Sequence, residues 1–172
     1  ISLAGTEASG TGNMKLMLNG AITIGTMDGA NVEIYEEVGA ENIFIFGMNA
    51  DEVVAKRKAY DPRVICAENP EIARVVEMIR SDYFCYDAPG TFAEIGKALI
   101  DYGDYYMLLA DLNSYIETQA KIEALYNQPL QWDRKALLNV ARSGKFSSDR
   151  TIQEYAREIW GVTPCEGTPI AH

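Results

Sequence analysis

One stretch concentrates the residue types that do chemistry: Thr6-Glu7-Ala8-Ser9-Gly10-Thr11-Gly12-Asn13-Met14-Lys15, followed by Leu16-Met17-Leu18-Asn19-Gly20. Hydroxyls, amides and a carboxylate come first, and the chain then turns apolar around a single lysine. Gly10 and Gly12 let the backbone come close to a ligand, or take a positive φ, without a Cβ penalty. Ser9, Thr11 and Asn13 are residue types that cap helix starts, and Asn19-Gly20 is a helix stop. A short helix opening near Thr11 would present its unpaired amides, and the positive end of its dipole, to whatever lies above the glycines. Lys15 follows Thr11 by four residues, so on a helix the two share a face, about 6 Å apart along the axis.

That spacing suits a ligand with a phosphate at one end and a carbonyl at the other, the phosphate on the helix start and the carbonyl at the lysine amine. Pyridoxal phosphate has this form and usually attaches to lysine as a Schiff base. The same residues also make an ordinary helix start, in which Lys15 carries its charge to the surface past apolar neighbours. Residue types alone leave both readings open. Two other phosphate signatures are excluded. No Lys-Ser/Thr follows the second glycine of Gly5-x4-Gly10, as a P-loop requires, and Lys15 stands where GxGxxG needs its third glycine.

The order of residues carries more than their types. Glu7-Ala8-Ser9-Gly10-Thr11-Gly12-Asn13-Met14-Lys15 with Leu18-Asn19 closely resembles the cofactor-attachment signature of the α-glucan (glycogen, starch and maltodextrin) phosphorylases. The resemblance runs on through Gly20-Ala21-Ile22-Thr23-Ile24-Gly25-Thr26-Met27-Asp28-Gly29-Ala30-Asn31-Val32-Glu33 and Asn42-Ile43-Phe44-Ile45-Phe46-Gly47. It returns in Ser143-Gly144-Lys145-Phe146-Ser147-Ser148-Asp149-Arg150-Thr151-Ile152, and is looser between residues 50 and 90.

What this resemblance implies is specific. The family fold has two Rossmann-like lobes of GT-B type with the active site in the cleft between them. This α/β chain would be the second half of the C-terminal lobe, a short parallel-sheet portion followed by a mostly helical region. The implied cofactor is pyridoxal 5′-phosphate, held by Lys15 as a Schiff base, with Gly10, Thr11 and Gly12 around its phosphate. Glu7 and Ser9, with the Gly10 amide, would bind the hydroxyls of a glucosyl unit. No residue of this chain would be catalytic beyond the cofactor. The implied reaction is phosphorolysis of terminal α-1,4-glucosidic bonds to glucose 1-phosphate with retention. Its partners would be an α-1,4-glucan, inorganic phosphate and the N-terminal remainder of the same cytoplasmic, homodimeric enzyme. The basic residues that clamp the phosphates would lie in that remainder, so the chain alone should be inactive. Two readings outside the family stay open: a cofactor-free structural unit, and a phosphate- or nucleotide-binding module that uses the glycine turn alone.

Composition sets the outer bounds. A chain of 172 residues, 48% hydrophobic and 23% charged, can bury a core of its own. Its net charge of −10 argues against a general nucleic-acid or anionic-membrane binder. No apolar run approaches the roughly 20 residues needed to span a bilayer. The chain opens at Ile1 rather than Met, which suggests a segment of something longer. Cys66, Cys85 and Cys165 are odd in number and widely spaced, as reduced thiols are. The single histidine, His172, rules out a Ser-His-Asp triad within the chain and disfavours a zinc site.

The elements that must position the glycine stretch read as follows. Residues 1–5 lead in, as the end of a strand. Residues 21–26 and 42–46 have strand composition, with a short helix over 30–38 between them after the Asp28-Gly29 turn. Strand, helix, strand with short links makes a βαβ unit, and ligands collect at the carboxyl ends of such strands. Beyond residue 50 the pattern is helical, over 51–60, 70–79 (capped by Asn69), 91–102, a helical turn at 106–110, 113–126, 129–142 and 150–160 (capped by Ser147-Ser148-Asp149). Arg150 is placed to anchor the last helix to another part of the protein. Phe92, Ile95, Ala98 and Leu99 are expected to face inward, as are Ile72, Val75, Val76 and Ile79. Tyr115, Ala120, Ile122 and Leu125 complete that set, and the ten tyrosines with Trp132 and Trp160 are expected at core or boundary positions. The division is 1–48 for the cofactor-binding portion, 49–162 for the helical remainder and 163–172 for a loose tail.

Overall fold

The computed structural model describes residues 2–6 and 10–163. The chain is mostly helical around one short parallel sheet. Helix α1 (Thr11–Leu18) is followed by β1 (Ile24–Gly25), α2 (Ala30–Val38) and β2 (Phe44–Ile45). The strands pair in parallel, Ile24 opposite Phe44 and Gly25 opposite Ile45, and Thr23 and Gly25 accept from the amides of Phe44 and Phe46. The two strands are shorter than expected because their flanks are spent on turns. Residues 40–42 form a 3-10 turn before β2, and Thr26 and Asp28 fold into the turn before α2. Residues 3–6 are a turn, not a strand, closed by the Thr6 amide and hydroxyl on the Leu3 carbonyl at 3.2 and 2.6 Å.

Among the described residues beyond 49 there are seven α-helices, where six helices and one helical turn were expected. Helix α3 (Ala50–Arg57) is closed by a reciprocal pair between Asn49 and Glu52, each side chain bonding the other's amide. Asp61-Pro62 does not simply end it. Asp61 caps a further helix, α4 (Pro62–Glu68), and proline takes the first helical position, where its missing N–H costs nothing. Helix α5 (Pro70–Arg80) is capped by Asn69 as expected, accepting from Glu71 and Ile72. Ile72 and Val76 are buried, while Val75 is exposed.

Helix α6 (Ala93–Gly96) widens into a π turn over Lys97–Asp101. The widening shifts the inward face by about one residue. Gly96, Leu99 and Ile100 therefore pack inward, whereas Ile95 and Ala98 face solvent. Helix α7 (Leu108–Tyr126) starts five residues before Asn113. The reason is Asp104, whose Oδ2 accepts from the Leu109 amide at 2.8 Å and from the Tyr60 hydroxyl at 2.7 Å. Leu125 is buried on α7 as expected, but Ala120 is exposed and the polar Asp111 and Thr118 are buried instead. Helix α8 (Pro129–Arg142) has the expected limits, and α9 (Ser148–Glu154) continues as a π turn to Trp160. Ser147 precedes α9 without a side-chain cap bond. Arg150 acts locally, its Nε donating to the Lys145 carbonyl at 2.6 Å and a terminal nitrogen to Glu154 at 2.5 Å.

Three apolar clusters hold these pieces together. Met17 of α1, Ile34 and Val38 of α2, and Ile43 beside β2 pack under Leu138 and Phe146. Leu3 and Ala4 meet Val53 of α3 and Met107, and Ile72 and Val76 of α5 meet Leu109 of α7. The tyrosines depart from expectation: seven of the ten, Tyr83, Tyr86, Tyr102, Tyr105, Tyr106, Tyr126 and Tyr155, are exposed, as is Trp160. Several pair edge to face at the surface, Tyr105 with Tyr106 and Tyr126 with Trp132 among them. Cys66 and Cys85 are free thiols, and burial pushes the Cys66 thiol up. No helix among the described residues is long and apolar enough to cross a membrane.

Candidate functional site

Helix α1 stands with its first turn over the carboxyl ends of both strands. Its N-cap is Gly10, which supplies no side chain, and the first intrahelical bond runs from the Met14 amide to the Gly10 carbonyl. The amides of Thr11, Gly12 and Asn13 therefore have no acceptor within the helix. At its other end, Asn19 folds its side chain back onto the Lys15 carbonyl at 2.7 Å, and Gly20 takes φ +84°, the left-handed turn the Asn-Gly pair foreshadows.

A cavity of about 520 Å³ opens in front of that first turn. Gly10, Thr11, Gly12 and Asn13 form one wall, and Ile24, Gly25 and Thr26 form the strand side. Phe46, just past β2, and Tyr115 of α7 close the back, their rings edge to face at 5.2 Å. Asp28 and Asn31 complete the polar lining, and Asp28 accepts from the Thr6 amide at 3.0 Å.

The two glycines of the turn differ in why they are glycine. A Cβ at Gly10 would lie 2.9 Å from the Ala30 Cβ, so packing of α1 on α2 alone demands glycine there. A Cβ at Gly12 would meet nothing within 4 Å. Glycine at an open helical position costs about 1 kcal/mol relative to alanine and gains no packing in return. Gly12 also lines the cavity, where a ligand phosphate could approach the backbone. The free amides, the exposed Thr11 hydroxyl and this clearance fit a phosphate group.

The structure thus brings together three of the expected residues, Gly10, Thr11 and Gly12, at one cavity. Lys15 is one turn further along, exposed and off the cavity wall. Its neighbours do not surround it with apolar groups: Leu16 and Leu18 are 60% and 59% exposed, and Met17 alone of this helix is buried. Glu7 and Ser9 lie outside the described residues. Asn31, Phe46 and Tyr115 line the site without having been singled out in the sequence. A polar amide at a helix position that packs inward was a readable signal for Asn31. Nothing local marks Tyr115, which reaches the cavity only through the docking of α7.

A polar cavity at the carboxyl ends of parallel strands, faced by a helix start, defines an α/β ligand-binding unit of the parallel-sheet class. Comparison with known proteins narrows the class. The family model for carbohydrate phosphorylases matches residues 1–162. Glycogen phosphorylase, brain form, of Homo sapiens is 53% identical over 167 residues, which is 96% of this chain. The brain form of Rattus norvegicus is equally similar, and the muscle form of Homo sapiens is 52% identical over 165 residues, 95% of the chain. The chain belongs to the carbohydrate phosphorylase family. It spans about a fifth of the length of these relatives.

Proposed function

We propose that the chain is part of a glycosyltransferase that phosphorolyses terminal α-1,4-glucosidic bonds of glycogen or a related glucan to glucose 1-phosphate. Membership of the family, joined to the cavity at the first turn of α1, carries this reading. In it, the chain is the second half of a Rossmann-like C-terminal lobe of GT-B type. Residues 1–48 carry the cofactor-binding portion, 49–162 the helical remainder, and 163–172 a tail. The whole enzyme is a cytoplasmic homodimer.

The amides of Thr11, Gly12 and Asn13, with the Thr11 hydroxyl, hold the 5′-phosphate of pyridoxal phosphate at the positive end of α1. Lys15 tethers the cofactor from the next turn, and the remainder of the enzyme encloses the lysine that stands exposed on this chain. When bound, the cofactor supplies through its phosphate a proton relay and electrostatic support for the substrate phosphate. Glu7 accepts from hydroxyls of the glucosyl unit and, with Ser9 and the Gly10 amide, holds the ring as positive charge develops on it. Glu7 is a binder in this reading, not a nucleophile.

The experiment is replacement of Lys15 by alanine in the full-length enzyme. Loss of cofactor absorbance and of glucose 1-phosphate formation is expected, and wild-type rates in Lys15→Ala would overturn the reading. The exposure of Lys15 favours one competitor, a phosphate- or nucleotide-binding module built on the glycine turn alone. Nucleotide affinity that survives Lys15→Ala would support that competitor.

A further inference from the structure

Asn31 lies in the first turn of α2, only 7% exposed, and its amide joins three elements. Its Nδ2 donates to the Thr26 carbonyl at the end of β1 at 2.9 Å. Its Oδ1 accepts from Asn13 Nδ2, on the first turn of α1, at 2.7 Å. The Thr26 carbonyl can only accept, so Nδ2 must face it and Oδ1 is left for Asn13. The amide also sits flat on Gly25, where any Cβ would collide with it. Next to it in sequence, Ala30 touches the position that a Cβ on Gly10 would need. Backbone clearance at Gly10 and Gly25 and both ends of one buried amide therefore fix where α1 begins relative to β1.

We infer that Asn31 is a positioning residue for the phosphate-binding turn, an inference that rests on the function proposed above. It touches the strand end and the helix start, and it sets how the amides of Thr11 and Gly12 are aimed. Glutamine carries the same amide on a stem one methylene longer, which cannot keep both bonds in the same place. Aspartate could accept from Asn13 but not donate to a carbonyl, and leucine fills the volume with neither bond.

The test uses the full-length enzyme with Asn31→Leu, Asn31→Asp and, as a control for lost stability, Val76→Ala in the remote α5 cluster. Amide hydrogen exchange over the start of α1 and the rate of cofactor release on dialysis are read alongside Tm and the cofactor concentration that restores kcat to the apoenzyme. At matched loss of Tm, both Asn31 variants should exchange and release about tenfold faster than Val76→Ala, as loss of one or two hydrogen bonds implies. Restoring activity to the apoenzyme should take more cofactor in both Asn31 variants than in Val76→Ala. Equal exchange and equal release in Asn31→Leu and Val76→Ala would overturn the inference. A wild-type enzyme that holds no cofactor would instead sink the functional reading, and the exchange measurement would still decide whether Asn31 fixes the turn.

Discussion

Gly10 and Gly12 are separated by one residue and by two different physical demands. Gly10→Ala forces its Cβ against Ala30 and should cost about 1–3 kcal/mol of stability. Gly12→Ala meets no atom among the described residues and should gain up to about 1 kcal/mol from helix propensity, while cofactor affinity falls. Paired urea melts and cofactor titrations of the apoenzyme check this, and a Gly12→Ala enzyme with unchanged cofactor affinity would show that the turn does not touch the anion. Asp111 poses a second question at this scale. It is buried on α7, its Oδ1 accepts from the Met48 amide at 2.9 Å, and its Oδ2 has no partner among the described residues. A Cβ at Gly47 would lie 2.7 Å from this carboxylate, so the loop after β2 is moulded to it. Burial pushes the Asp111 carboxyl above the usual carboxylate range. The folded protein then holds this proton more tightly than the unfolded chain does. The stability it lends is complete below the unfolded value, about 4, and is lost as pH rises through the folded one. Melting of Asp111→Asn against wild type between pH 4 and pH 7 should move in the variant's favour as pH rises. A difference independent of pH would contradict that assignment.

Among the elements, caps decide more than apolar periodicity. Asn69 accepts two amides at the start of α5, and Asn69→Ala should cost about 1 kcal/mol in a denaturant melt. An unchanged midpoint would mean that water replaces the cap fully. The sequence made α5 and α8 readable because a proline at the first helical position and an amphipathic stripe coincide in each. Helix α1 was legible from Asn19-Gly20 at its end more than from its start, since the true cap, Gly10, is a residue without a capping group. A helical turn at 106–110 was legible, but not its continuity with the helix placed from Asn113. The cap bond of α7 comes from Asp104, a residue in a left-handed turn that no local pattern marks. Over residues 93–101 Leu99 packs inward as expected, while Ile95 and Ala98 are exposed, and the π turn there changes the helical period. The site divides in the same way. Gly10, Thr11 and Gly12 are contiguous and were legible as a unit, whereas Phe46 and Tyr115 join them only through tertiary packing.

At the scale of the whole molecule, the described surface is rich in exposed aromatic and aliphatic side chains, including Tyr155, Ile159 and Trp160 at the end of the last helix. The cavity before α1 is walled by a helix start, and among the described residues no cationic side chain lines it. Holding a substrate phosphate against the cofactor's phosphate needs cations to balance their charge. The 172 residues alone should therefore be silent in an assay of glucan phosphorolysis, and glucose 1-phosphate formation by the isolated chain would contradict that division of labour. The central claim is that Lys15, one turn beyond the glycine cradle, holds pyridoxal phosphate in the complete enzyme. Borohydride reduction of the full-length protein followed by peptide mapping tests it most directly. A pyridoxyl adduct on Lys15, near one per chain, is the predicted result. A protein with no adduct, or with the adduct on another lysine, would contradict it.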